Sequence, residues 1–281
     1  MSDFLCRMAA ASKARVAEGK RSDPEASVWQ RAMSTPHPPL LRLSPDGFDI
    51  FAEYKKRAPS TGVLVPEAGC LASLRDRVSA YAMGGAAAIS VLTEPTAFSG
   101  SLSDLSAAAH TTSLPVMRKD FVTDPYQVFE TRAAGGAGIL LIVRILDDAC
   151  LRDVMSAVAE SGLFVLFEAF DRDDLSRATV AAARARELGV FTLVGLNARN
   201  LVTLQTERSR LRQLRNCLPI SCPRVAESSL TSPSHAADAA RYGYEVALVG
   251  SALMQTTDPA RLLSSMIAAG REERVSQCAF A

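Results

Sequence analysis

The sequence lacks the features that mark metal-binding, disulfide-bonded, membrane and nucleic-acid-binding proteins. Its six cysteines include no CxxC pair, and its three histidines are isolated rather than grouped at metal-ligand spacing. Lysine and arginine number 31 against 30 acidic residues, so the net charge of +1 supplies no broad field for a nucleic acid or an anionic membrane. No apolar run is long enough to span a bilayer. These absences predict a reduced, cytoplasmic protein that binds no metal, no membrane and no nucleic acid, and that holds any anionic ligand with local charges.

The composition is that of an ordinary globular protein, with 48% hydrophobic and 22% charged residues over 281 positions. Residues 3–20 have the apolar spacing of a helix, and residues 22–33 are a second helical candidate. Pro36, Pro38, Pro39 and Pro45 then exclude regular helix and indicate a connector. We therefore predict one domain over residues 1–281, in which residues 1–48 form a helical extension and a proline-rich connector.

Beyond the connector, strand and helix patterns alternate eight times. The predicted strands cover residues 49–55, 87–93, 115–121, 138–143, 164–169, 191–197, 223–228 and 246–253. The helical segments lie near 71–84, from about 103, from 124, and over 147–161, 172–188, 208–216, 234–242 and 259–269. Eight such units predict an α/β fold of the (β/α)8 TIM-barrel type. An open doubly wound sheet is the alternative, but it normally has fewer strands and a glycine-rich phosphate loop after the first strand.

A charged pair closes the first predicted strand. Glu53 and Lys55 are two residues apart, so their side chains point to the same face, and the loop Ala-Pro-Ser-Thr-Gly follows them. Buried charges are costly unless they are paired or used. The pair is therefore either a structural salt bridge under a loop or part of an active site at the carboxyl end of a barrel.

Polar residues gather at the carboxyl ends of the other predicted strands as well. The complete set is Glu53, Lys55, Lys119, Glu168, Asn197, Glu227 and Ser228. Two lysines and three glutamates at one barrel mouth indicate acid–base chemistry on an anion, although each glutamate could instead close the barrel with a salt bridge. Ser228, Ser229, Gly250 and Ser251 follow strands seven and eight, where barrels commonly bind phosphate, unless the glycine serves only a tight turn.

Several of these segments together resemble the indole-3-glycerol phosphate synthase family. In family order they read AEYKKRAPSTG, AISVLTE with FSGS, MRKDFVTDPYQ, LLIV, FEA, GLNARNL, VAES and LVGSALM, from about residue 49 to residue 254. The resemblance implies a carboxy-lyase of tryptophan biosynthesis, without a cofactor. Its substrate would be 1-(2-carboxyphenylamino)-1-deoxyribulose 5-phosphate, whose indole ring closes with loss of carbon dioxide and water. Other tryptophan-pathway enzymes would be candidate partners.

The resemblance also implies residue roles. Lys119 would be the general acid, Glu168 would transfer a proton in the dehydration, and Lys55 would hold the anthranilate carboxylate and be a candidate second acid. The remaining expected catalytic residues, which orient the lysines and the substrate hydroxyls, are Glu53, Asn197 and Glu227. The expected substrate-binding residues are Ser60, Phe98, Leu140, Arg199, Ser228, Ser229, Gly250 and Ser251.

The sequence also departs from the family pattern at three positions. Ala58 stands where the loop usually begins with serine, Ser229 replaces the glycine of Glu-Ser-Gly, and Asn200 replaces aspartate. A glycine at the position of Ser229 would allow positive φ and a close approach of the backbone to phosphate. Two alternatives therefore stay open: a divergent paralogue that acts on a modified anthranilate–sugar phosphate in secondary metabolism, and a non-catalytic barrel that binds a phosphorylated ligand. The sister phosphoribosylanthranilate isomerase fits poorly, because its first strand should end in cysteine.

Overall fold

The computed structural model describes residues 3–45, 47–59, 62–65, 73–199 and 205–279. The predicted site residue Ser60 and the substituted Asn200 lie outside these described residues.

The strands form a closed barrel. In chain order they are β1 Asp49–Tyr54, β2 Ala88–Leu92, β3 Val116–Lys119, β4 Gly138–Ile142, β5 Phe164–Ala169, β6 Thr192–Asn197, β7 Arg224–Glu227 and β8 Val246–Val249. Each strand pairs in parallel with its neighbours in the chain, and β1 pairs with β8 from Asp49 opposite Val246 to Ala52 opposite Val249. The predicted TIM barrel is confirmed, and the open-sheet alternative is wrong.

The helices lie before, between and after the strands. They are α1 Asp3–Ser22, α2 Glu25–Ser34, α3 Leu74–Met83, α4 Pro95–Phe98, α5 Leu102–Thr111, α6 Pro125–Ala133, α7 Asp148–Ser161, α8 Arg172–Glu187, α9 Ser209–Leu214, α10 Pro233–Arg241, α11 Ser251–Gln255 and α12 Pro259–Ala279. Among the residues that the structure describes, no helix combines the length and hydropathy needed to cross a bilayer.

Several predicted boundaries were wrong. The last helix was expected to end before Gly270, but α12 continues to Ala279. Gly270 is not a helix terminator, because a Cβ at this position would collide with the ring of Phe48, and its role is close packing. Helix α4 was missed because one turn is too short to show a helical period. The predicted 208–216 helix is α9 followed by a 3-10 turn, Arg215–Cys217.

The loop after β1 contains a small hairpin that sequence reasoning did not predict. Arg57–Ala58 pairs antiparallel with Gly62–Val63, with Ala58 opposite Gly62. The Ala-Pro-Ser-Thr-Gly segment therefore begins and ends in paired backbone. Its last residue, Gly62, has a φ of 74°, a positive value that glycine adopts without strain.

The helical extension packs on the carboxyl end of the barrel. The rings of Phe4 in α1 and Phe121 after β3 meet edge to face, with centroids 6.0 Å apart. Gly19 allows Tyr126 to approach, and the Tyr126 hydroxyl donates to the carbonyl of Asp23. As a result, α1 borders the face where the polar strand ends converge.

Candidate active site

A cavity of about 360 Å³ opens at the carboxyl end of the barrel. Strand alternation directs the last interior-facing side chains of the strands into it. The polar residues that line it are Glu53, Lys55, Lys119, Asp120, Glu168, Asn197, Arg199, Thr206, Glu227, Ser228, Ser229, Thr231 and Ser251. The strand-end residues expected from the sequence therefore do meet in one place.

Lys119 lies at the centre of this cavity and reaches across the barrel. Its ammonium nitrogen is 2.9 Å from Glu168 Oε2 on β5 and 3.8 Å from Glu227 Oε2 on β7. Burial lowers the pKa of Lys119, but the carboxylates of Glu168, Glu227 and Glu53 together raise it above the ordinary value of 10.5. Lys119 is therefore a protonated, desolvated cation at neutral pH, which is the form that a general acid needs.

Asn197 fixes the orientation of Glu168. The Asn197 amide nitrogen is 2.5 Å from Glu168 Oε1, so both Glu168 oxygens accept hydrogen bonds, one from Asn197 and one from Lys119. The Asn197 amide oxygen accepts from the Ser228 hydroxyl at 2.8 Å and from the backbone N–H of Arg199 at 2.9 Å. One amide thus connects the acid–base pair to the loop after β7.

Glu227 differs from Glu168 in its hydrogen bonding. Both of its carboxyl oxygens are buried and have no hydrogen-bond partner among the described residues. Burial raises the pKa of Glu227 well above its ordinary value, the neighbouring Glu168 raises it further, and Lys119 only partly offsets these effects. Gly195 makes room for it, because a Cβ there would collide with Glu227 Oε1. A buried carboxyl that receives no hydrogen bond, and whose ion pair with Lys119 is 3.8 Å long, is available to a ligand hydroxyl.

Glu53 and Lys55 form the ion pair expected from their spacing, with Lys55 Nζ 2.9 Å from Glu53 Oε1. The pair lies against Gly250, where a Cβ would collide with Glu53 Oε1 and lie 3.0 Å from Lys55 Nζ. Because β1 and β8 are neighbours in the barrel, Lys55 lies beside the β8 loop in this conformation.

The loops after β7 and β8 form one side of the mouth, the serine side, defined by Ser228, Ser229, Gly250 and Ser251. Ser228 and Ser229 have φ values of 65° and 69°, in the left-handed region that favours glycine. The position where the family pattern has glycine therefore does have positive φ in this chain, and Ser229 adopts it. Ser251 opens the short helix α11 directly after Gly250.

The opposite side of the mouth, the aromatic side, is defined by Phe4, Phe98 and Phe121. Phe98 and Phe121 have ring centroids 6.4 Å apart. Glu94 caps α4 by accepting from the backbone N–H groups of Thr96, Ala97 and Phe98 at 3.0, 2.6 and 3.2 Å. This cap fixes the turn that carries Phe98.

Two buried carboxylates behind the aromatic side are held by an arginine from α1. Arg15 lies 2.9 Å from Asp120 Oδ1 and 3.4 Å from Glu94 Oε1. Asp120 also accepts from Arg118 at 3.0 Å and from the Phe121 backbone N–H at 2.8 Å. Burial raises the pKa of Asp120, but Arg118 and Arg15 lower it more, and the net direction is downward.

Comparison with known proteins identifies the family to which this architecture belongs. A family model described as indole-3-glycerol phosphate synthase matches residues 5–266. The chain belongs to the indole-3-glycerol phosphate synthase family.

Individual members of the family are similar over most of their length. The indole-3-glycerol phosphate synthase of Leifsonia xyli subsp. xyli is 44% identical over 239 residues, which cover 83% of this chain and 85% of that protein. The synthase of Parafrankia sp. is 38% identical and covers 92% of both chains. That of Lacticaseibacillus casei is 34% identical over 93% of this chain and 98% of its own.

Solved structures that are more distant in sequence share the barrel. Thiamine phosphate pyrophosphorylase from Pyrococcus furiosus superposes with a TM-score of 0.55 at 15% identity, over 81% of this chain and 98% of its own. The 3-hexulose-6-phosphate synthase from Salmonella typhimurium gives a TM-score of 0.59 at 14% identity, over 80% and 100% of the two chains. At these identities the likeness concerns the fold alone.

The expected substrate-binding residues do not all line the cavity of this family member. Phe98, Arg199, Ser228, Ser229, Gly250 and Ser251 do. Leu140 is fully buried one layer deeper, and Ile142, two residues further along β4, faces the cavity instead. Burial lowers the pKa of Arg199.

Sequence reasoning missed the apolar residues that complete the cavity. They include Phe4, Leu5, Phe121, Ile142, Phe170 and Leu230. Phe121 and Phe170 each follow a polar strand-end residue by two positions, and this same-face spacing was a usable signal. Phe4 had no comparable signal, because nothing in the sequence brings α1 to the barrel mouth.

Proposed function

We propose that this chain is an indole-3-glycerol phosphate synthase. It closes the indole ring of 1-(2-carboxyphenylamino)-1-deoxyribulose 5-phosphate and releases carbon dioxide and water. The observation that carries the assignment is the Lys119 ammonium group, held by Glu168 and Glu227 in a cavity with an aromatic side and a serine side.

The proposed substrate has an aromatic acid at one end and a phosphate at the other, and the cavity matches this polarity. Strands β3 and β7 are four apart in the eight-stranded ring, so the loops that follow them face each other across the mouth. The anthranilate ring packs on Phe98 and Phe121, and the phosphate binds the backbone and hydroxyl groups of Ser228 and Ser251. The sugar chain then extends over Lys119.

Lys119 acts where charge develops. The ring carbon that carries the carboxylate attacks the ketone carbon, the carbonyl π electrons move to oxygen, and Lys119 protonates that oxygen. Loss of carbon dioxide then returns the electron pair of the carbon–carboxylate bond to the ring and restores its aromaticity. In the dehydration the new hydroxyl leaves with a proton as the adjacent methylene carbon loses one, and Glu168 serves this transfer.

Lys55 is the second lysine that can bind an anionic group of the substrate. In the present conformation it lies beside Gly250, so it supports the phosphate end directly. A role at the anthranilate carboxylate requires Lys55 to leave Glu53 and turn toward Phe98. Glu227, whose oxygens receive no hydrogen bond from the described residues and only a long ion pair from Lys119, accepts or shares the proton of a sugar hydroxyl.

The assignment is tested by following indole fluorescence with this substrate. The parent enzyme should turn over, and Lys119→Met should lower kcat by roughly 10²- to 10⁴-fold, the usual contribution of a general acid. Lys56→Met is the matched control, because Lys56 pairs with Asp104 outside the cavity and should leave kcat unchanged.

The same assay separates the two alternatives. Binding of the substrate without turnover would contradict the assignment and favour the paralogue that acts on a modified anthranilate–sugar phosphate, for which the left-handed Ser229 is the supporting observation. Neither turnover nor binding would favour a non-catalytic barrel. A cytoplasmic location and contact with other tryptophan-pathway enzymes stay predictions.

A further inference from the structure

The loop after β7 contains two adjacent serines in a backbone conformation that disfavours them. Ser228 and Ser229 have φ values of 65° and 69°, where an L side chain crowds its own carbonyl. Such residues persist only when their surroundings hold them in place. What holds each serine is therefore a question about the function of this loop.

The two serines are held differently. The Ser228 hydroxyl donates to the Asn197 amide oxygen at 2.8 Å, which fixes the first serine to the end of β6. The Ser229 hydroxyl is buried and has no hydrogen-bond partner among the described residues, so its own side chain does not fix it. Contacts that hold the backbone after Ser229 therefore bear directly on its conformation.

His235, in the first turn of α10, supplies such a restraint. Its Nδ1 accepts from the backbone N–H of Thr231 at 3.2 Å and lies 3.1 Å from the Thr231 hydroxyl. An Nδ1 that accepts from an N–H carries no proton, so this arrangement needs the neutral imidazole with its proton on Nε2.

The surroundings of His235 favour that neutral form. Burial and the positive charge of Arg208 lower its pKa, while Asp238 and the Ser229 backbone raise it, and the net direction is downward. Ser229, Leu230 and Thr231 all line the cavity. The hydrogen bond between Thr231 and His235 therefore acts on a segment that faces the ligand.

We propose that His235 is a positioning residue for the phosphate end of the site. Its neutral imidazole accepts from the backbone N–H of Thr231, and by holding the backbone two residues after Ser229 it keeps Ser229 in the left-handed conformation that presents this loop to the cavity. It touches no reacting atom, and it acts through Ser229. The inference deepens the proposed function, because it takes the group bound by this loop to be phosphate.

The test compares three variants by KM for the phosphorylated substrate, by kcat, and by inhibition with inorganic phosphate. His235→Ala should raise KM and the phosphate inhibition constant by roughly fivefold, as expected for loss of one or two neutral hydrogen bonds, with kcat within about twofold of the parent. His235→Gln should stay near the parent, because its amide oxygen can accept from the backbone N–H of Thr231 as Nδ1 does. His110→Ala is the control, since His110 lies in α5 outside the cavity and hydrogen-bonds the Ser106 carbonyl of its own helix.

A double-mutant cycle with Ser229→Gly tests the route of the effect. Glycine adopts positive φ without strain, so His235→Ala should change phosphate inhibition less in the Ser229→Gly background than in the parent. Equal changes in the two backgrounds would overturn the positioning role. So would an unchanged KM in His235→Ala, or failure of His235→Gln to restore phosphate inhibition.

The two proposals fail in different ways. If the parent enzyme turns over but His235→Ala does not change its inhibition by inorganic phosphate, this inference is overturned and the synthase assignment stays in place. A parent without turnover, whose binding of inorganic phosphate still weakens in His235→Ala, would overturn the assignment and support the role of His235.

Discussion

The two sides of the barrel mouth are stabilised by opposite means. On the aromatic side, Glu94 and Asp120 are buried carboxylates whose hydrogen bonds are filled by Arg15, Arg118 and backbone N–H groups. On the serine side, the loops have left-handed backbone and neutral hydrogen bonds, and the Ser229 hydroxyl is unpaired by the described residues. Charged groups are therefore paired within the scaffold next to the aromatic side, whereas polar groups stay available on the serine side, where we propose that the phosphate binds.

The same contrast separates scaffold from ligand-binding groups within the acid–base centre. Both oxygens of Glu168 accept hydrogen bonds, from Asn197 and Lys119, whereas those of Glu227 accept none from the described residues. A satisfied polar group fixes geometry, and an unsatisfied one carries an energetic cost that a ligand can relieve. Three substitutions test this division, in order of decreasing expected effect.

Of the three substitutions, Arg15→Met should have the largest effect on stability, and it acts on the aromatic side. The variant leaves the buried Glu94 and Asp120 with one less cation, which should lower the free energy of unfolding by about 2 kcal/mol, given that Arg15 is 30% exposed. Urea denaturation measures this loss. KM for the substrate should rise, because α4 and Phe98 lose support, while inhibition by inorganic phosphate should not change.

Lys20→Met is the matched control for Arg15→Met on the same helix. Lys20 pairs with Glu25 and Asp124 at a partly exposed site, and its loss should cost well under 1 kcal/mol. If Arg15→Met weakened phosphate inhibition as much as substrate binding, the two sides would not be independent.

Glu227→Gln should stabilise the fold at the expense of activity. The folded-state pKa of Glu227 is raised, so its ionised form opposes folding at high pH, and this penalty disappears below the ordinary pKa of 4.5. Thermal unfolding should show a gain of about 1–2 kcal/mol at pH 8, which shrinks as the pH falls toward 4.5. Glu272→Gln is the control: Glu272 is exposed, and its substitution should show no such pH-dependent gain. A gain for Glu227→Gln that did not vary with pH would count against an ionised Glu227 that receives no hydrogen bond.

Ser229→Gly should have the smallest effect, a stabilisation of about 1 kcal/mol from relief of left-handed strain. Because the backbone approaches phosphate more easily, KM should fall by about two- to threefold. Ser99→Gly is the control on the aromatic side, since Ser99 ends α4 with φ 56°. It should gain comparable stability with no change in phosphate inhibition, and an equal drop in KM would contradict a local effect at Ser229.

Much of the fold and of the polar site could be predicted from the sequence. Strand alternation and strand ends are local properties, so Lys119, Glu168, Asn197 and Glu227 could be assigned to one barrel mouth before any contact was known. The glycine of the family pattern indicated that the backbone at residue 229 could have positive φ, but it gave no indication for Ser228.

The remaining features depend on long-range packing. The contact of Arg15 with Asp120 joins residues that are 105 positions apart, and no local pattern indicates it. Leu140 and Ile142 have the same chemistry, so only the depth of the cavity decides between them. Gly270 has the sequence signature of a helix end, but it lies inside α12, where any side chain would collide with the ring of Phe48.

The central claim is that one ligand spans the mouth from the aromatic side to the serine side. It is tested most directly by measuring the affinity of the substrate and of its dephosphorylated counterpart for the parent, Phe98→Ala and Gly250→Ala. A Cβ at Gly250 would collide with Glu53 and crowd Lys55. We predict that the phosphate contributes the same large factor to affinity in the parent and in Phe98→Ala, and that this factor is lost in Gly250→Ala. An equal loss of the phosphate contribution in both variants would contradict the two-sided site.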